Sequence, residues 1–244
     1  MMQFENNIRI KILIVISLLL LFSTSGYSRT INSREQEFLA LLDTANTAFR
    51  KGEYNKAKKL SEDIISKVPN SAAYNILGVS IYMSENDPYT AIEYFKKSLE
   101  LTPEQPDICK KIAIIYAELN DLDESIEYYK KAIQYDPDNK ELLFTYGVLT
   151  LVERNDPYTA LEYINKSRSN SVPNTPEALD PKKEYLVGIC YLLTGKKFMV
   201  IDQITLLKKN NFNDMAEHLE SMSQLVNSGK EIDMKKVLGM YNQK

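Results

Sequence analysis

Histidine and cysteine, two residue types that often carry enzyme chemistry, are scarce in this chain of 244 residues. His218 is its single histidine, so catalytic dyads and metal sites built on several histidines lack their ligands. The string from Gly188 to Lys196 is similar in outline to a phosphate-binding loop. Six residues separate its glycines where that loop has four, and Lys197 stands where Ser or Thr is needed, so we interpret Gly195 as a turn between helices. The sequence therefore predicts no enzyme, no catalytic residue, no metal site and no cofactor.

Two cysteines are the remaining candidates for redox or metal chemistry. Cys109 and Cys190 lie far apart in sequence, each inside an apolar helical pattern. This placement favours buried free thiols. A disulfide between them is the alternative, since export to an oxidising compartment would allow one.

The charge distribution bears on the kind of partner. The formal net charge is −3, and the lysines and arginines are spread along the chain instead of forming a basic stripe. Binding to a nucleic-acid backbone depends on such a stripe, because each phosphate contact needs a cation. We therefore expect no nucleic-acid partner.

The first residues have the pattern of a targeting segment. Arg9 and Lys11 precede residues 12–22, in which only Ser17 is polar, and small or polar residues follow. This order is typical of a signal peptide, and the apolar core is about half the length that a membrane-spanning helix needs. We predict that residues 1–28 are a cleaved signal peptide and that the protein is exported, to the periplasm or cell envelope. An uncleaved anchor is the alternative, and contact with a membrane is expected only in that case.

A period of about 34 residues organises the rest of the chain. One column of small residues comprises Ala57, Ala91, Ser125 and Ala160. A second comprises Ala45, Gly78, Ala113, Gly147 and Gly188, and prolines follow the first column at Pro69, Pro103, Pro137 and Pro173. The six residues Asn-Asp-Pro-Tyr-Thr-Ala occur twice, at 86–91 and 155–160. A fixed period of this length predicts a repeat architecture.

Each period predicts two helices. Tyr74, Leu77 and Ile81 have the spacing of one apolar helical stripe, and the residues after Ala91 have that of a second. Glycine inside a helix costs about 1 kcal/mol relative to alanine, so the recurring glycines indicate places where two helices cross closely. The prolines stand where the second helix must end.

Taken together, the period, the two small-residue columns, the aromatic of the second helix (Phe95 or Tyr129) and the terminal proline resemble the tetratricopeptide repeat family. Four copies begin near Phe38, Ser71, Pro106 and Lys140, and a degenerate fifth begins near Pro181. The resemblance implies an all-α fold, a right-handed α-solenoid of helix-turn-helix repeats over residues 35–212. We predict that residues 213–244, which carry two further amphipathic patterns, form a C-terminal helical cap. Packing of these helices into the groove of the array is the alternative.

The resemblance also implies a binding surface. In this family the first helices of successive repeats line a concave groove, and ligands contact positions there that packing does not use. Carried over by register, these positions are Asn46, Phe49, Asn75, Val79, Tyr82, Lys110, Ile114, Phe144, Val148 and Leu151. The set is mostly apolar, and Leu42 stands where members that capture chaperone C-termini carry a lysine.

These positions lead to a functional expectation. We expect a non-enzymatic scaffold or assembly factor of the bacterial cell envelope that binds a partner peptide or helix in a mostly apolar groove. The alternatives are a binding module for a glycan or lipid of the envelope, and a groove that the chain's own C-terminal helices cover.

Overall fold

The computed structural model describes residues 34–168 and 179–230, and all regular structure in these ranges is α-helical. The predicted signal peptide, the end of the predicted cap (231–244) and Pro173 lie outside them. Helix α1 covers residues 34–50. It is followed by α2 (Tyr54–Lys67), α3 (Ser71–Glu85), α4 (Pro88–Leu101), α5 (Pro106–Glu118), α6 (Leu122–Tyr135), α7 (Lys140–Glu153), α8 (Pro157–Ser167), α9 (Pro181–Leu193), α10 (Lys197–Lys209) and α11 (Asn213–Asn227).

Consecutive helices pack as helical hairpins, and the chain divides into two compact units. Unit 1 runs to Pro103 and contains α1 to α4, with α3 packed on both α2 and α4. Unit 2 begins at Glu104, and there α5 packs on α6, α7 on α8 and α9 on α10. The last helix, α11, packs on both α9 and α10. The all-α class predicted from the sequence is confirmed, and the later helical hairpins begin at the predicted residues.

The turn inside each helical hairpin has one recurring geometry. A residue in the left-handed region, such as Asn120 at φ 60°, follows the first helix. Its amide donates to Ala117 O (3.0 Å), and the amide of Asp121 donates to Tyr116 O (2.8 Å). Only glycine and asparagine adopt this backbone readily, and the other four turns have Gly52, Asn86, Asn155 and Gly195 at this position. The interpretation of Gly195 as a turn is confirmed.

The duplicated hexapeptide combines this turn with a helix cap. After Asn86, the carboxylate of Asp87 accepts hydrogen bonds from the Thr90 hydroxyl (2.6 Å) and the Thr90 amide (3.1 Å). These bonds, the hydroxyl first, lower the pKa of Asp87, and Pro88 occupies the first helical turn, where its missing N–H is not needed. The copy at 155–160 repeats the cap on α8. The repetition therefore preserves a start signal for the second helix.

The small-residue columns lie where the two helices of a hairpin cross. All four members of the first column are fully buried. A Cβ added at Gly78 would lie 2.8 Å from Phe95 Cε1, and one at Gly147 would lie 2.8 Å from Ile164 Cγ1. No side chain fits at these crossings without displacing its neighbour, which accounts for the glycines despite their poor helix propensity.

The second helices end as the prolines predict in three of the four repeats. Helices α2, α4 and α6 end two residues before Pro69, Pro103 and Pro137, respectively. In the part of the chain that the structure describes, no helix combines the length and the apolar character that crossing a bilayer requires.

Candidate protein-binding surface

An open depression lies between the first helices of the two hairpins in unit 1. Its volume is about 440 Å³. Helix α1 contributes four residues spaced along one face and α3 contributes three. The lining residues are Leu39, Leu42, Asp43, Asn46, Ala72, Asn75 and Ile76. Two of them, Asn46 and Asn75, belong to the predicted set.

The depression combines apolar surface with a polar rim. Leu39 is 55% exposed although it is a large aliphatic residue, and Ile76 is nearly buried beside it. Ala72 is exposed and leaves the space above it open, because its side chain is a single methyl group. Asp43 and Asn46 are exposed at the rim. Such a surface offers contacts to an aliphatic side chain together with hydrogen-bonding groups for a peptide backbone.

The other predicted residues of unit 1 are more enclosed. Phe49 packs partly buried against the core around Ala45 and Ile64, and its ring lies 6.1 Å from that of Tyr54. Val79 and Tyr82 are half-buried and are not among the residues that line the depression. Their assignment to a partner stays a prediction.

In unit 2 two of the predicted residues, Lys110 and Phe144, interact with side chains of a neighbouring helix. Lys110 Nζ lies 2.6 Å from Glu141 Oε1, which joins α5 to α7. Lys183 of α9 places its ammonium 5.3 Å from the centre of the Phe144 ring. Ile114 is 38% exposed, whereas Val148 packs half-buried against the core. Lys110 and Lys183 thus already have partners within unit 2.

Leu151 is a correction to the predicted set. It is 0% exposed and lies within the core cluster that contains Ala160, Tyr185 and Leu219. The register placed it on the groove by analogy with earlier repeats, but at the end of α7 that position is covered by the following helices. A partner cannot contact Leu151 in this structure, so its assignment to the binding surface is wrong.

Comparison with known proteins shows which repeat the first three helical hairpins resemble. Models of the tetratricopeptide repeat match residues 39–71, 71–105 and 106–139. Over residues 39–139 the chain is therefore similar to the tetratricopeptide repeat. Photosystem I assembly protein Ycf3 of Rippkaea orientalis is 36% identical over 64 residues, which are 26% of this chain and 34% of that protein. This match spans about a third of the length of Ycf3.

Solved structures extend the likeness beyond the three matched tetratricopeptide repeats. YrrB, described as a TPR protein with an unusual peptide-binding site, is 15% identical with a TM-score of 0.58, covering 80% of this chain and 97% of YrrB. MamA is 16% identical with a TM-score of 0.55 and the same coverage of both chains. PilF of Pseudomonas aeruginosa is 15% identical with a TM-score of 0.53, covering 85% of this chain and 99% of PilF. At these identities the likeness shows the fold, which is that of repeated helical hairpins.

Reasoning by register missed most of the depression between the tetratricopeptide repeats of unit 1. Leu42 and Asp43 lie about one turn before Asn46 on the same face of α1, and Leu39 lies about two turns before it. The signal was present in the spacing 39, 42, 43 and 46, which is that of one helical stripe. The sequence offers no sign that Ala72 lines the depression, because this residue contributes only a small side chain that leaves space open.

A set of exposed aromatic residues was also missed. Tyr89, Tyr158 and Phe198 each occupy the second position of the second helix in a hairpin, and Phe198 is 83% exposed. Two of these aromatics lie in the duplicated hexapeptide, so the repetition itself was the available signal. Nothing in the packing of these hairpins requires an aromatic residue there.

The two cysteines are buried and carry no disulfide. Burial raises the pKa of both thiols, that of Cys190 to about 12. A thiol with so high a pKa is a poor nucleophile and a poor metal ligand at neutral pH. Among the described residues, no group of His, Cys, Asp and Glu side chains could hold a metal ion.

The single histidine helps to hold α11 to α9. His218 Nδ1 lies 2.6 Å from the hydroxyl of Tyr185, which is almost completely buried. Burial lowers the pKa of His218 below its ordinary value. The folded protein therefore favours the neutral imidazole, and protonation works against the packing of α11.

Mild acid is expected to destabilise the protein through His218. Because its folded-state pKa is lowered, the stability it contributes is complete above the ordinary histidine pKa of about 6.5 and falls as the pH drops below that value. Thermal unfolding at pH 7.5, 6.5 and 5.5 should show a larger loss of Tm in the wild type than in His218→Gln, by a few degrees. Equal losses in both proteins would show that other groups cause the pH dependence.

Proposed function

We propose that this protein is a non-enzymatic, protein-binding scaffold or assembly factor of the cell envelope. The observation that carries the proposal is the open depression between α1 and α3, which presents exposed leucine and asparagine side chains on the first helices of two tetratricopeptide repeats. A peptide segment of a partner would lie across these helices. Unit 2 adds a second surface of first-helix residues, including Ile114 and Phe144.

The comparisons support a binding or assembly role for the protein. YrrB, which has the same fold, is described as having a peptide-binding site. Ycf3, which is 36% identical over 64 residues, is named as an assembly protein. The pattern of residues 1–28 supports the proposed export, and the scarcity of histidine and cysteine supports a binding role.

Site-specific photocrosslinking in the cells that produce the protein tests this function. We would place a photoreactive phenylalanine analogue at Asn46, in the depression, and at Ser66, an exposed position on the second helix α2. The full-length protein should crosslink a discrete partner protein from position 46 and not from position 66. Mass spectrometry of the adduct would identify the partner.

A blocking variant supplies the matched control. Ala72→Arg would fill the depression from an exposed position, and Ser66→Arg adds the same charge and bulk elsewhere. Loss of the crosslinked partner in Ala72→Arg alone is the expected result. Equal capture by both variants would contradict the proposal, and adducts that survive protease digestion would instead indicate a glycan or lipid ligand.

A further inference from the structure

We propose that the depression in unit 1 selects a cationic, apolar segment: an aliphatic side chain with a lysine or arginine within three residues of it. This inference rests on the proposed function, because it specifies the chemistry of the peptide bound at the same site. It is carried by the charges and exposures of the residues around the depression.

Asp43 is the one charged residue among those that line the depression. Its carboxylate is exposed at the rim and makes no ion pair with the described residues of either helix. Since a carboxylate next to an apolar surface loses part of its hydration when a ligand covers that surface, a cation on the ligand compensates it best.

The facing helix supplies no competing charge. Helix α3 has a single charged residue, Glu85 at its C-terminal end, and that carboxylate is paired with Lys58 of α2. Side chains along the rest of α3 are neutral, so none of them neutralises Asp43 or attracts an anionic ligand. The depression therefore has a negative charge on one wall and no positive charge on the other.

Acidic and basic residues are unevenly distributed along the same side of α1. Glu35 lies two turns before Asp43 and Arg50 lies about two turns after it, and both are exposed. The acidic residues thus occupy the N-terminal part of this side and its cation lies at the far end. A cationic residue of the ligand is expected at the Glu35 and Asp43 end.

The apolar and amide groups fix the rest of the ligand. Leu39 and Leu42 stand on one wall with Ile76 beside them, which suits a leucine, isoleucine or valine side chain. The exposed carboxamide of Asn46 can both donate to and accept from the backbone of an extended peptide. Peptide ends that carry a carboxylate find no cation among the lining residues.

A peptide array provides the test. The probes are acetylated, amidated nonapeptides with a leucine in a Gly/Ser background and Lys, Gln or Glu placed one to three residues from it. Full-length protein should bind the best Lys peptide about two- to fivefold more tightly than the matched Glu peptide at low salt, as expected for an exposed ion pair. The preference should shrink at high NaCl concentration because salt screens exposed charges.

Two variants with the same change in charge separate the site from the protein's overall charge. Asp43→Asn should abolish the preference for lysine, and Asp43→Lys should reverse it. Asp63→Asn removes a carboxylate from α2 that is paired with Lys67, and it should leave the preference unchanged. The inference is overturned if Glu peptides bind as well as Lys peptides, if Asp63→Asn acts like Asp43→Asn, or if no peptide binds.

The two proposals fail in different experiments. If Ala72→Arg loses the crosslinked partner but the array shows no charge preference, only the proposal of a cationic ligand is overturned. Undiminished crosslinking in Ala72→Arg would overturn the depression as the binding site, and with it both proposals.

Discussion

Leu219→Ala is expected to lower the free energy of unfolding of unit 2 by about 2 to 5 kcal/mol, the range for a buried leucine reduced to alanine. Leu219 of α11 is completely buried, and its side chain fills the space left by the missing Cβ of Gly188 on α9. The substitution leaves a cavity between these helices that rigid helix backbones cannot close. Urea unfolding followed by circular dichroism measures the change.

The same contact makes a second substitution informative. Gly188→Ala should cost about 1 to 3 kcal/mol, since the added Cβ would overlap Leu219 Cδ2 and lie 3.2 Å from Gln203 Cγ. All of these neighbouring atoms belong to side chains, so shortening Leu219 makes room. The double variant should therefore be more stable than the sum of the two single changes predicts, by about 0.5 kcal/mol or more.

A glycine in a turn serves as the control for this comparison of single and double variants. Gly195 has φ +71°, and a Cβ there would meet no other atom within 4 Å. Gly195→Ala should cost backbone strain alone, and its effect should add to that of Leu219→Ala. If the effects of Gly188→Ala and Leu219→Ala also add, the side chain of Leu219 does not pack against Gly188.

Arg168→Met is expected to destabilise unit 2 by about 2 to 3 kcal/mol. The Glu184 carboxylate is buried, with its side chain 5% exposed, and accepts hydrogen bonds from Arg168 Nη2 and Gln203 Nε2, each at 2.6 Å. Removing the guanidinium leaves a buried anion with one neutral donor. A fully buried pair loses about 3 to 5 kcal/mol in this way, and the partial exposure of Arg168 reduces the expected loss.

A neighbouring ion pair supplies the matched control. Lys166 and Glu162 are also 2.6 Å apart, but both side chains are more than half exposed. Lys166→Met should therefore lower the stability much less than Arg168→Met does. Adding Glu184→Leu to Arg168→Met should recover part of the lost stability, because it removes the uncompensated charge. If Arg168→Met costs no more than Lys166→Met, the buried carboxylate does not depend on its guanidinium partner.

The parts of this fold that the sequence predicts are those with local causes. Helix starts at Ser71 and Pro106, the turn at Gly195 and the close crossings at Gly78 and Gly147 all follow from neighbours within a few residues or from the period itself. Such signals recur with each repeat, so several weak observations support one another. The small residues were informative because packing leaves no alternative at a crossing.

The candidate site was harder to predict because the position of a residue within its repeat does not show which other residues it contacts. Lys110 falls on the expected face, yet its ion pair with Glu141 joins residues 31 positions apart. Leu151 occupies the position in its repeat that Tyr82 occupies two repeats earlier, yet Tyr82 is half-buried whereas Leu151 is completely buried in the core of unit 2. Contacts of Gly188 with α11 arise from a helix outside the repeat, so no comparison among repeats could reveal them.

The hairpin turns also bear on how such a chain can lengthen. Their hydrogen bonds join residues no more than six positions apart, and the cap of the second helix lies within the same short segment. A duplicated stretch of the gene that encodes whole hairpins would thus also encode every residue of their turns and helix caps. The second copy of the hexapeptide begins two hairpins after the first, so a pair of hairpins is the smallest unit whose duplication reproduces this spacing. Duplication of two repeats at a time would produce the observed spacing of the hexapeptide.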